Sequence, residues 1–237
     1  MKRILLALAS AFTITLSAST YAAAPLSFGV KLGGVNSTIA GLKEAKKPFG
    51  ESESNFLNLG GTGLAYVEYA FHDNVGVGLE AGYFFGRIGS FTAKSDAKSD
   101  KKRTYNITAH GVKLFPAIKF YPMGREDENG ILKINVGGDF FMPLALEGKA
   151  SEADKADTAD KGKDLTAFGM GAFAGIGYEF PFGLELDLRG SYAFTNVFKE
   201  GSEFKKSKLE ITDKDKKTNL MAINLTAGYN FAVLLEE

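Results

Sequence analysis

The chain has 237 residues, with Lys plus Arg equal to Asp plus Glu at 28 each, two His, and neither Cys nor Trp. The charge balance argues against a nucleic-acid partner, which calls for a basic excess. Absent Cys excludes disulfide frameworks, thiol chemistry and Cys-ligated metals, and two His leave little material for a His-built zinc or copper site. Gly accounts for 28 of the 237 residues, about 12% against a usual ~7%; with 20 Phe and 9 Tyr this leans towards a β-rich chain.

Residues 1–24 read MKRILLALASAFTITLSASTYAAA: Lys2 and Arg3, then an apolar stretch from Ile4 to Leu16, then small residues. That is the layout of a secretory signal peptide. The alternative, a short membrane anchor, is disfavoured because the stretch is Ser/Thr-broken and a span needs ~20 apolar residues. Placing cleavage after Ala22 makes 1–22 the signal peptide and 23–237 a single barrel domain. Loss of Lys2 and Arg3 leaves 26 positive against 28 negative residues, a net −2 outside the cytoplasm. No later stretch approaches 18 uninterrupted apolar residues, which excludes a helical membrane protein but not a membrane β-barrel.

Taken in chain order, eight segments alternate with period two, the signature of strands. In 26–35, Leu26, Phe28, Val30 and Leu32 oppose Ser27, Gly29, Lys31 and Gly33. In 57–71, Leu57, Leu59, Ala65, Val67, Tyr69 and Phe71 oppose Asn58, Gly60, Thr62, Tyr66 and Glu68. In 75–86, Val75 through Phe85 oppose Gly76, Gly78, Glu80, Gly82, Phe84 and Gly86. In 105–121, Val112, Leu114, Pro116, Ile118 and Phe120 oppose Gly111, Lys113, Phe115, Ala117 and Lys119. In 132–147, Leu132, Ile134, Val136, Phe140, Met142, Leu144 and Leu146 oppose Lys133, Asn135, Gly137, Asp139, Phe141 and Glu147. Segments 168–180, 184–195 and 221–231 repeat the pattern, with Glu179, Glu185, Asp187 and Arg189 on the polar parity. Strands of ~9–11 residues suffice to cross a tilted bilayer core.

A soluble sandwich also alternates, so the connections and the aromatics decide. Links at 72–74 and 181–183 are short and 122–130 middling, whereas 37–55, 92–103, 148–164 and 199–217 are long. Short turns on one rim and long loops on the other describe an outer-membrane barrel, whose closure removes the open edges that lipid would not tolerate. Phe71, Phe120, Tyr121, Phe180, Phe182, Tyr229 and Phe231 sit at the short-turn ends. Phe56, Tyr83, Phe85, Phe140, Phe168, Tyr192 and Phe194 lie towards the long-loop ends. These are two candidate interfacial belts. A lipocalin-like soluble barrel, with the apolar parity inward, is the alternative fold.

The apolar start, the runs NVGVGLEAGYFFG (74–86) and LFPAIKFYP (114–122), and the closing NLTAGYNF (224–231) together resemble the small outer-membrane β-barrel proteins of the OmpA/OmpX-like, porin-family type. The resemblance implies an eight-stranded antiparallel up-and-down transmembrane β-barrel in the outer membrane of a Gram-negative-type bacterium, both chain ends in the periplasm. Family members usually end on an aromatic read by the barrel-assembly machinery. Phe231 matches that role, with AVLLEE after it. The resemblance also implies outer-membrane lipids and lipopolysaccharide as surroundings. With nothing of domain size after Phe231, a peptidoglycan anchor of the OmpA kind is not expected.

An eight-stranded barrel encloses just enough room for side chains, and charges inside it must pair to offset desolvation. The polar parity therefore predicts an interior network from Glu68, Glu80, Lys113, Lys119, Lys133, Asp139, Glu179, Glu185, Asp187 and Arg189, with Lys31 and Glu147 on the same parity. Its expected role is to plug the barrel and fix register; a gated ion path is the alternative. Barrels of this size include lipid A-modifying enzymes, but His72 lies on the wrong rim and His110 has no serine two residues on, so catalysis is not expected. Gly60-Gly61-Thr62-Gly63 lacks the Lys and the strand–helix context of a phosphate loop and reads as a bulge or close packing in a strand. No cofactor or metal is expected. The long segments are charged: 92–103 carries five positive and two negative residues, and 199–217 seven and five. They read as solvated loops, giving a structural or surface-interaction role, with a narrow low-conductance pore and a lipid A-modifying enzyme as alternatives.

Overall fold

The computed structural model describes residues 25–39, 57–96, 99–125, 129–150, 157–158, 168–196 and 219–235, with side chains defined outside 91–105, 148–150 and 157–158. Eight long strands carry it: β1 (Leu26–Ile39), β2 (Leu59–His72), β3 (Val75–Asp96), β4 (Ser99–Phe120), β5 (Ile131–Ala150), β6 (Gly169–Glu179), β7 (Leu184–Asn196) and β8 (Asn219–Asn230). Each pairs antiparallel with its sequence neighbours. β1 also pairs with β8, from Gly29 opposite Asn230 to Ile39 opposite Leu220, and this closes the sheet into an up-and-down barrel. A two-residue piece, Asp157–Thr158, adds to β5 at Glu147 and Gly148.

The short rim is built by turn chemistry. At the β6–β7 turn, Gly183 N donates to Phe180 O and Phe180 N to Leu184 O, both at 2.8 Å. Pro181 holds the second position and Gly183, at φ +88°, the fourth; Pro presets its own φ, and only Gly takes the left-handed value without strain.

Alternation sorts the side chains as the sequence predicts over most of the wall. Leu32, Val77, Ile118, Val136, Ile176, Leu188 and Ile223 stand outside, whereas Lys31, Glu80, Lys119, Lys133 and Asp187 are buried inside. The lumen is layered. Its short-turn half holds most of the charges. A middle layer has Leu64, Phe115, Ala117 and Phe173. The long-loop half carries an apolar cluster of Val35, Ile39, Phe84, Ile88, Ile107, Phe141, Leu146 and Leu220, with Ser37, Ser90, Lys113, Asp139 and Asn219 also buried.

Four expectations are corrected. Segment 92–103 is not a loop: β3 and β4 continue pairing through Thr92 opposite Thr104, Ala93 opposite Arg103 and Lys94 opposite Lys102, to Asp96 opposite Ser99. Leu146 and Glu147 exchange faces. One step on β4, His110 to Gly111, spans two on β5, Ala145 to Pro143; the extra residue is Leu144, and a β-bulge reverses the parity beyond it. Leu146 is then inside, 1% exposed, and Glu147 outside. Tyr121 does not join the belt but is fully buried, with its hydroxyl donating to Glu68 at 2.5 Å. Phe231 lies past the last strand, opening a 3-10 turn (Phe231–Leu235). The predicted signal peptide 1–22, Phe56, and the greater part of the 37–55, 148–164 and 199–217 connections lie outside the described residues.

Candidate functional site: the filled lumen

Lys31, on the inward parity of β1, is the hub. Its Nζ lies 2.5 Å from Asp187 Oδ2, 2.8 Å from Glu185 Oε1 and 3.1 Å from Glu80 Oε1. Thus one cation holds β1, β3 and β7 together. Lys119 meets Glu68 at 2.6 Å and Glu80 at 3.8 Å. Lys133 meets Glu179 at 2.6 Å, Glu68 at 3.3 Å and Glu185 at 3.5 Å. Arg189 meets Glu80 at 2.8 Å and Asp187 at 3.6 Å, its guanidinium lying over the rings of Phe115 and Phe173. The contacts form one continuous network from Glu179 near the short rim to Arg189 under the aromatic layer.

Neutral donors complete it. Asn135 Nδ2 donates to Asp187 at 3.1 Å and Asn230 Nδ2 to Glu179 at 2.7 Å. Charges taken from water are costly unless paired with good geometry and further hydrogen bonds; Asp187, Glu179 and Glu68 each have an ion pair and a neutral donor.

Eight of the ten sequence-predicted residues meet in this network: Glu68, Glu80, Lys119, Lys133, Glu179, Glu185, Asp187 and Arg189. Lys113 and Asp139 do not join it. They form their own pair at 3.0 Å, nearer the long rim, with Lys113 Nζ between the rings of Phe84, Phe115 and Phe141. The sequence reading left the hub, Lys31, out of the network although its parity placed it inward; it also missed Tyr121, Asn135 and Asn230. Parity was the available signal for Tyr121, two residues after inward Lys119.

The two histidines stand apart from the network. His110 faces outward and bonds the Tyr83 hydroxyl through Nδ1. His72, the last residue of β2, accepts from Asn74 N at 3.1 Å.

Charge inside and apolar side chains outside exclude the lipocalin-like arrangement, whose polarity is the reverse. The outer wall carries aromatics at both ends: Phe28, Phe71, Phe120, Phe182 and Phe231 towards the short turns, and Tyr83, Phe85, Phe168, Tyr192 and Phe194 towards the long rim. Such girdles bracket an apolar band in membrane barrels. The family model described as "Outer membrane protein beta-barrel domain" matches residues 5–231. The chain belongs to this family. As an outer membrane protein beta-barrel domain, it is placed in the bacterial outer membrane.

Among solved structures it is similar to Ail, the attachment invasion locus protein of Yersinia pestis, at 12% identity over 86% of this chain and 98% of that one, TM-score 0.38. It is also similar to Neisserial surface protein A, at 12% over 86% and 95%, TM-score 0.41. A third is the outer membrane protein OprG of Pseudomonas aeruginosa, at 13% over 87% and 94%, TM-score 0.40. No curated protein matches the chain.

Proposed function

We propose that this chain is a closed, non-catalytic outer-membrane barrel whose lumen is a structural plug and whose work is done at the cell surface by the long-loop rim. One observation carries this reading. Lys31, with no exposed side-chain surface, is held in the lumen by three carboxylates, and an apolar cluster together with the paired Lys113 and Asp139 fills the half above it. A conducting path needs hydrated, exchangeable charges, and these are paired and buried.

The surface role draws on the β3–β4 hairpin. β2 stops pairing with β3 at Gly60 opposite Gly86, yet β3 and β4 run on together to Asp96 and Ser99. β5 accompanies β4 as far as Ala150 opposite Tyr105, and beyond it about five residues at ~3.3 Å each make a two-stranded ribbon on the order of 15 Å long. It carries Lys94, Lys101, Lys102 and Arg103, a cationic sequence suited to the phosphates of lipopolysaccharide or to acidic surfaces. Delivery by a signal peptide at 1–22, and reading of the closing strand with Phe231 by the barrel-assembly machinery, belong to the same proposal.

Planar-bilayer recording of the purified full chain tests the plug. Membranes with inserted protein should show no steady conductance. A steady conductance that is lost on neutralising Glu80 or Arg189 would replace the plug with a pore.

A further inference from the structure

The outer wall is not uniformly convex. One row of outward residues crosses from β5 to β8 as Ile134, Ile176, Leu188 and Leu225, a ridge of large side chains. The next row towards the long rim runs Val136, Ala174, Gly190, Ile223 and ends at Asn36 on β1. Its middle has almost no side-chain volume, and a Cβ built on Gly190 would meet nothing within 4 Å. Beyond it stand Tyr192 and Met221, with Thr38 at the β1 end. Between ridge and belt lies a groove of about 610 Å³, within the roughly 300–1,000 Å³ typical of small-molecule sites.

We propose that this groove binds one acyl chain of an outer-leaflet glycolipid of the lipopolysaccharide class. Three features select the occupant. The groove opens on the membrane-facing wall, so what fills it comes from the bilayer, and an unfilled groove would forfeit the dispersion contacts of its lining. It lies beside Tyr192, one of the long-rim aromatics, which is outer-leaflet height. Its β1 end is polar: Asn36 and Thr38 interrupt an otherwise apolar wall where the ester and hydroxyl groups at the head of a glycolipid chain would lie. A second copy of the barrel fits less well, because a two-fold interface places the same patch on both partners and would set groove against groove. The proposal rests on the membrane placement of the wall and is independent of whether the lumen conducts.

The test uses the full chain purified in mild detergent from cells that make lipopolysaccharide, with bound lipid extracted and counted. Gly190→Leu puts a large side chain into the groove from a Cβ position with open space around it. Ala174→Leu fills it from the neighbouring strand. Gly34→Leu, also on the outer wall with open space around it, is the control outside the groove. Wild type and Gly34→Leu should each retain about one lipopolysaccharide per barrel, and both filling variants about tenfold less, the order expected from losing ~2 buried methylenes. All variants should keep the heat-dependent gel shift of a folded barrel. Equal retention in all four proteins, no retention by wild type, or retention of phospholipid alone would overturn the proposal. So would a wild-type dimer that the filling variants disperse.

Discussion

Lys31 Nζ and Asp187 Oδ2 lie 2.5 Å apart although 156 residues separate them. The pair spans the lumen from β1 to β7, passing inside β8, the strand that closes the barrel against β1. It ties together the two strands that flank the closing strand on either side.

Replacing Lys31 with Met should be among the most damaging single changes. It leaves Glu80, Glu185 and Asp187 facing one another with their shared cation gone, and breaking a buried pair by removing one partner typically costs about 3–5 kcal/mol. Urea unfolding followed by the gel shift of unboiled protein should show that loss. A variant as stable as wild type would mean that the carboxylates are not held together as described.

The Lys113–Asp139 pair offers the contrasting case. It is isolated from the main network and surrounded by Phe84, Phe115 and Phe141. Lys113→Met and Asp139→Leu should each destabilise, whereas the double variant should return to within ~1 kcal/mol of wild type, since apolar replacement of a whole buried pair is often neutral or better. A double-mutant cycle measures this coupling directly. Additive losses would show that the two side chains act independently.

At the β6–β7 turn, Gly183→Ala should cost about 1 kcal/mol or more. The left-handed φ disfavours any Cβ, and a Cβ there would also sit 3.0 Å from Asn230 O. Denaturant titration against Gly190→Ala, where open space surrounds the position, separates the turn's requirement from a general effect of losing glycine. Equal stability of the two variants would remove the turn argument.

Much of this architecture was legible because the strand period of two and the bilayer's polarity act on every residue alike. Eight segments and their charged faces follow from parity, and the short-turn rim and the inward direction of the charges from connection lengths and aromatic placement. The charge partners did not, because parity fixes a face and says nothing about height or reach; hence Lys31 was placed inward but not recognised as the hub, and Lys113 was grouped with charges it never meets. Parity also fails past a bulge. Pro143, which lacks the N–H a ladder needs and is tolerated at bulges, was the signal available beside Leu144. The β3–β4 ribbon was missed for a different reason. Lys, Asp and Ser are poor strand formers, and the pairing that carries them outward is a continuation of the hairpin below.

The bulge makes a clean prediction, helped by a chain that has no cysteine of its own. Strict alternation would put position 147 in the lumen and 146 outside; the extra residue at Leu144 reverses them. In outer membranes of intact cells, Glu147→Cys should react readily with a polar maleimide added from outside. Leu146→Cys should stay unlabelled, since it is packed with Ile88 and Ile107 in the apolar cluster of the lumen. Unfolding in urea should make the two equally reactive and show that both thiols are competent. Labelling at 146 with protection at 147 would return β5 to strict alternation. It would also put an acidic side chain into an apolar cluster among the described residues, where an unpaired carboxylate is strongly disfavoured.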